Sequence, residues 1–201
     1  RKFPFVLIDH QGVGDECTAV GATNWSGAYN ATEYLVKLGH RRIGLITGSM
    51  DLGAATDRLA GYKAALRTHH IHEDPSLIYE GSFAQLDGYT GAIALMEIEA
   101  PPSAIFASND AMAMGAMDAV RSRGLRIPED ISIIGFDDVP QAALVRPALT
   151  SVRQPLEQMG GVATQMLLDL LKDPDKHLER MELPTELIVR ASTCSPRDKA
   201  G

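Results

Sequence analysis

The stretch from Ala104 to Asp138, AIFASNDAMAMGAMDAVRSRGLRIPEDISIIGFDD, constrains the chain most, because it reads as one complete strand, helix, strand unit. Its two apolar runs, Ala104 to Ala107 and Ile131 to Phe136, are short and bounded by turn residues, as parallel strands buried on both faces are. Between them Asp110 is placed to cap a helix whose Met112, Gly115, Ala116, Ala119 and Val120 follow helical spacing. Gly124 is placed to end that helix and Pro128 prevents a restart. About thirty residues from strand to strand is what a right-handed crossover needs. Both strands deliver polar side chains where they stop, Asn109 with Asp110 and Asp137 with Asp138. In an open parallel sheet that carboxyl edge is where ligands bind.

The flanking sequence repeats the pattern. Phe3 to Ile8 reads as a strand ending at Asp9, followed by a loop around Gly12 and Gly14, and Ala19 to Thr23 as a second short strand. Asn24 or Ser26 can cap a helix from Gly27 to Leu38 that Gly39 stops. A strand at Arg42 to Thr47, a helix from about Ala55 to Thr68, a strand at Leu77 to Glu80 and a helix at Asp87 to Ile98 lead into the central unit. This alternation predicts an α/β fold with a doubly wound parallel sheet. Beyond Asp138 the period fails until Ser151 to Pro155, which is extended by the pre-proline rule. Pro155 opens a helix to Leu171, and Glu179 to Val189 reads as a last strand with Pro184 at an edge or bulge.

Composition narrows the function. The net charge of -7 argues against a nucleic-acid-binding surface on this chain. The two cysteines, Cys17 and Cys194, make no disulfide framework and have no metal-ligand spacing, so a reducing, cytoplasmic setting is expected. His10 beside Asp9 is no acid/base pair, because adjacent strand residues point to opposite faces. His69, His70 and His72 crowd a helix end as surface residues. No nucleophile elbow, phosphate loop or zinc motif occurs, so no catalytic residue, metal or cofactor is expected.

Five phrases then carry a resemblance: GAYNATEYLVKLGHRRIGLITG from Gly27, DRLAGYKAAL from Asp57, IFASNDAMAMGAMDAVRSRGLRIPEDISIIGFDD from Ile105, PALTSVRQP from Pro147 and LPTELIVRAST from Leu183. Together they resemble the effector-binding core of LacI/GalR transcriptional regulators over nearly the whole chain. The resemblance implies a two-lobed periplasmic-binding-protein type I fold with an effector in the interlobe cleft. On that plan residues 1–22 and 151–173 are pieces of a partial N-terminal lobe, 23–150 and 174–196 a complete C-terminal lobe, and 197–201 a tail. The family's helix-turn-helix and hinge helix precede the position of Arg1, so operator DNA is expected to be bound only through such a segment.

The resemblance also implies roles. Asp9, Asn109, Asp137 and Gln154 fall where the family hydrogen-bonds effector hydroxyls, and carboxylates and amides suit a polyol. Arg58 matches an arginine that reaches into the cleft, its fork able to hold two hydroxyls, a carboxylate or a phosphate. Phe83 falls where relatives stack an aromatic on the effector, whereas Ala54 stands where some sugar-binding relatives have serine. Met114 and Val145 align with the subunit contact of a homodimer, and the methionines Met112, Met114 and Met117 suit an adaptable interface. The expected effector is a sugar or sugar derivative, with a phosphorylated or acidic one left open and a purine as the rival. The alternative reading is a periplasmic or secreted sugar-binding protein of the same fold.

Overall fold

A computed structural model describes residues 3–9, 18–173, 176 and 179–197. The larger of its two sheets has six strands: β3 (Ile43–Thr47), β4 (Ile78–Glu80), β5 (Ala104–Ala107), β6 (Ser132–Asp137), β7 (Thr150–Arg153) and β9 (Glu186–Ile188). Their order is β4-β3-β5-β6-β7-β9, all parallel except β9, which runs antiparallel to β7. The smaller sheet orders β1 (Leu7–Ile8), β2 (Ala19–Ala22) and β8 (Met181–Leu183), all parallel.

Side-chain alternation along the central strands explains why the large sheet is covered twice. Ile46, Ile105 and Ile133 enter one core with Met112, Met117 and Val120, beneath α3 (Gln85–Glu97) and α4 (Asp110–Ser122). Leu45, Phe106 and Ile134 enter the opposite core with Ala28, Leu35, Tyr62 and Leu66, beneath α1 (Asn24–Lys37) and α2 (Gly53–Thr68). The small sheet packs Val20, Ala22 and Leu183 on Met159, Ala163 and Met166 of α6 (Leu156–Lys172).

Several expected elements change. Only Leu7 and Ile8 of the Phe3 to Ile8 run pair with β2, while Phe3 and Phe5 are 85% and 57% exposed. The expected loop around Gly12 and Gly14, together with His10 and Cys17, lies outside the described residues. The segment without a period contains the short helix α5 (Pro140–Leu144). The segment expected as one last strand is two, β8 in the small sheet and β9 in the large one. Pro184, which cannot donate to a ladder, falls between them. Likewise β7, expected with the small unit, pairs with β6, and its apolar Val152 is sealed in the α1/α2 core. The chain thus passes between the sheets at Thr23, near Gln154 and at Pro184, and Thr23 and Thr185 bind each other at the first and third crossings (Thr185 N to Thr23 Oγ1, 3.0 Å).

Candidate functional site

A concavity of about 210 Å³ opens at the carboxyl edge of the strands and is lined by Asp9, Leu52, Arg58, Phe83, Asn109 and Asp137. Asp9 follows β1 of the small sheet, whereas the others follow β3, β4 and β5 or end β6 of the large one. Five of the six expected ligand-facing residues therefore meet there. The sixth, Gln154, donates from Nε2 to Asp137 Oδ1 at 2.7 Å and lines an adjoining open groove of about 900 Å³.

Arg58 is 2% exposed and its fork is already engaged. Nε donates to Asn24 Oδ1 at 2.9 Å, Nη1 donates to the Ser108 carbonyl and Nη2 lies 3.9 Å from Asp137 Oδ1. The guanidinium sits 3.7 Å from the Phe136 ring centre and 5.9 Å from that of Phe83. Burial pulls its pKa down, against Asp137 and Asp9. Arg58 is thus mainly a buried organiser, and less of its fork is free than the isolated residue implied. Asn24, read from sequence as a possible cap, is the first residue of α1, and its side chain serves Arg58 instead. The helix cap, Thr23, makes no side-chain capping bond.

Burial raises the pKa of Asp137, opposed by Arg58 and by the Gln154 hydrogen bond. Gln154 is 7% exposed and its Oε1 has no partner among the described residues, so an acceptor waits beside the carboxylate. Asn109 caps α4, accepting from Met112 N at 2.8 Å and donating to the Phe83 carbonyl at 3.0 Å. The expected cap, Asp110, is instead fully buried inside that helix. Phe83 has φ +67 and its ring lies over Gly48, where any Cβ would come within 2.0 Å of it. Glycine therefore lets the ring reach the concavity. Ala54 is buried and offers no hydroxyl. Asp138 pairs with Arg153 at 2.8 Å and Arg190 at 2.6 Å.

Of the expected dimer-contact residues, Met114 and Val145 are half-buried, and Val145 packs on the α3/α4 core. Met112 and Met117 are sealed inside that core, so their spread over the helix reflects packing against both sheet and α3. Leu86 and Leu144 are 69% and 71% exposed. A separate apolar hollow of about 340 Å³ lies at the opposite end of the strands, between Pro101, Pro102, Leu125 and Ile131. Among the described residues no group of three His, Cys, Asp or Glu side chains could hold a metal, and no helix is long and apolar enough to cross a membrane.

Comparison with known proteins gives this geometry a family. The family described as "Periplasmic binding protein-like domain" matches residues 32–193. The HTH-type transcriptional repressor PurR of Vibrio atlanticus is 35% identical over 189 residues, 94% of this chain and 57% of the relative. The chain therefore spans somewhat more than half the length of that relative. Among solved structures, a LacI family transcriptional regulator from Enterococcus faecium with bound ribose superposes with a TM-score of 0.89 at 30% identity, covering 96% of this chain and 72% of its own. A complex of the transcriptional regulator CelR with cellobiose gives 0.89 at 29% identity, covering 94% and 65%. With fold and sequence in agreement, the chain belongs to the periplasmic binding protein-like domain family and is similar over nearly its whole length to LacI family transcriptional regulators.

Proposed function

We propose that this core senses a small neutral polyol, a sugar in the first instance, in the cleft where the strand ends of the two sheets meet. The observation that carries the reading is the balance of unused hydrogen-bonding groups. Gln154 Oε1 is buried without a partner among the described residues, and the Asp9 and Asp137 carboxylates, when ionised, can only accept. Arg58, the one cation lining the concavity among the described residues, is largely engaged by Asn24, Ser108 and Asp137. Such a surface rewards hydroxyl donors and penalises a carboxylate or phosphate, which narrows the range left open by the sequence. Phe83 offers an apolar face to a sugar ring. A purine is the second reading, because relatives carry the name PurR and the same ring could stack on a base. In the full-length protein, acting in the cytoplasm, the ligand would shift the two sheets' relative arrangement by its differential affinity, and a helix-turn-helix outside this chain would carry that change to operator DNA.

A thermal-shift screen of ribose, cellobiose, sugar phosphates and purines on the full-length protein, followed by calorimetry, tests the assignment. We expect a neutral sugar to bind and Asp137→Ala to weaken it at least tenfold, about 1.4 kcal/mol. Hits confined to phosphates or purines would overturn the polyol reading.

The same proposal includes a homodimer formed over the face that carries Met114 and Val145, beside exposed Leu86 and Leu144. Met114→Asp is expected to convert a dimeric wild type to monomer in sedimentation velocity. An unchanged dimer would place the interface elsewhere.

A further inference from the structure

Asp110 is a fully buried carboxyl that the capping of its own helix does not require, because Asn109 provides the cap. Its two oxygens reach other elements. Oδ1 accepts from Ser151 Oγ on β7 at 2.5 Å, and Oδ2 accepts from Val139 N at 2.8 Å. Ser151 Oγ in turn accepts from Asp138 N at 3.1 Å. One carboxyl and one hydroxyl therefore hold the amides of both residues that follow Asp137. Strand β6 is shaped around this contact, since a Cβ on Gly135 would lie 2.2 Å from Asp110 Oδ1.

The turn being held is a strained one. Asp137 has φ +111 and Asp138 φ +55, two successive non-glycine residues in the region that L side chains rarely adopt. Such a conformation persists only where its surroundings over-determine it, and the turn determines where the Asp137 carboxylate points. We propose that Asp110 is a positioning residue for the effector site, acting through Ser151 and Val139 to fix the Asp137, Asp138 turn, and that its protonation state changes how the turn is held. This rests on the effector reading given above, although its test uses no effector.

Burial pushes the Asp110 carboxyl up to about 7, with the Ser151 and Val139 hydrogen bonds pulling the other way. The charged groups facing it are Asp137 and Asp138 of the turn, which favour its neutral form, and Arg58 of α2, which favours the ionised one. When it ionises, both hydrogen bonds become charge-assisted and strengthen. When it is protonated on Oδ1 it donates to Ser151 Oγ, and the serine hydrogen loses its acceptor.

The experiment is an NMR titration of the whole chain between about pH 5 and pH 9, a range set to bracket the ordinary carboxyl and the raised one. The Val139 amide proton is expected to move downfield with a midpoint near 7, and the Asp137 carboxyl carbon to show an inflection at the same pH. Asp110→Asn keeps the shape and removes the Val139 inflection, together with the component of the Asp137 signal that shares its midpoint. Ser151→Ala is expected to raise the midpoint, because it removes a bond that favours the ionised form, and it serves should Asp110→Asn fail to fold. A Val139 amide and an Asp137 carboxyl with no inflection near neutrality in the wild type would overturn the proposal. So would a Val139 amide inflection that survives Asp110→Asn, or a Val139 midpoint unmoved by Ser151→Ala.

Discussion

The large sheet and the small one are built from the same parallel pairing but are finished differently. In the large sheet every residue of β3 and β5 is buried, with two helices on either face. Among the described residues the small sheet rests on α6 alone, and Phe3, Phe5, Ile8 and Met181 around it are 85%, 57%, 52% and 43% exposed. The difference bears on function. Double cover makes the large sheet a rigid frame that can carry a strained turn, a buried arginine and a buried acid at its carboxyl edge. The small sheet contributes Asp9 to the same concavity and is joined to the frame by three crossings of the chain. Under the proposed reading, a ligand between one doubly covered wall and one lightly covered wall would act by changing the angle between them.

The largest expected contrast is in stability. Phe106→Ala removes a fully buried ring from the α1/α2 core and is expected to cost about 3 to 5 kcal/mol, read from urea denaturation. Ile8→Ala, at a half-exposed site in the small sheet, is expected to cost under about 1 kcal/mol. Comparable costs at the two sites would mean that the small sheet is as well packed as the frame.

How far the sequence foretells this contrast depends on the kind of signal. Buried parallel strands announce themselves as uninterrupted apolar runs, so β5 is read from Ala104 to Ala107 with the observed ends and β3 within one residue. Gly39 and Gly124, both at positive φ, are legible as helix stops for the same local reason. Which sheet a strand joins is not a local property. Ser151 to Arg153 reads from sequence with the small unit, and only its pairing with β6 puts it in the large sheet, just as the split at Pro184 needs both partners in place. Within the site, residue types at strand ends were readable because the carboxyl edge collects them. The commitments of those residues were not. Asn24 lies 34 positions from Arg58, and no periodicity links an asparagine at a helix start to a distant guanidinium. Asp110 looks like a cap in sequence because Asn109 and Asp110 are both good caps, and only the backbone at Asn109 decides between them.

A second prediction places the frame's pH response at that same acid. The Asp110 pKa is raised from 3.8 to about 7 in the folded chain, so the folded state binds its proton more tightly than the unfolded state does. Its contribution to stability is full below the unfolded value, declines as pH rises and is lost once pH passes the folded value. His40 contributes the opposite slope, because burial lowers its pKa while it bonds to Ser103 and to the Cys194 carbonyl. The diagnostic is therefore the difference between wild type and Asp110→Asn in thermal denaturation. Wild type should lose stability relative to the variant between about pH 4 and pH 7 and then run parallel to it. Curves parallel throughout would mean that the acid is ionised at little cost and that the frame is more hydrated at β6 than its burial indicates.

The smallest expected effect tests the lightly held wall most directly. Phe3 is 85% exposed, and the described strand β1 begins only at Leu7, so the ring makes little contact that folding could use. Removing an exposed aromatic with so little contact changes stability by less than about 0.5 kcal/mol. Phe3→Ser should therefore leave the urea midpoint of this chain unmoved, and should leave Trp25 emission unmoved as well, because that residue, the only tryptophan, stacks on Tyr29 on α1. A loss above about 1 kcal/mol would show that in solution the ring is covered, since an exposed side chain has no such energy to lose. Repeating the pair in the full-length protein separates two sources of cover. A cost that appears only there would come from sequence outside these residues, closing the small sheet as the helices close the large one.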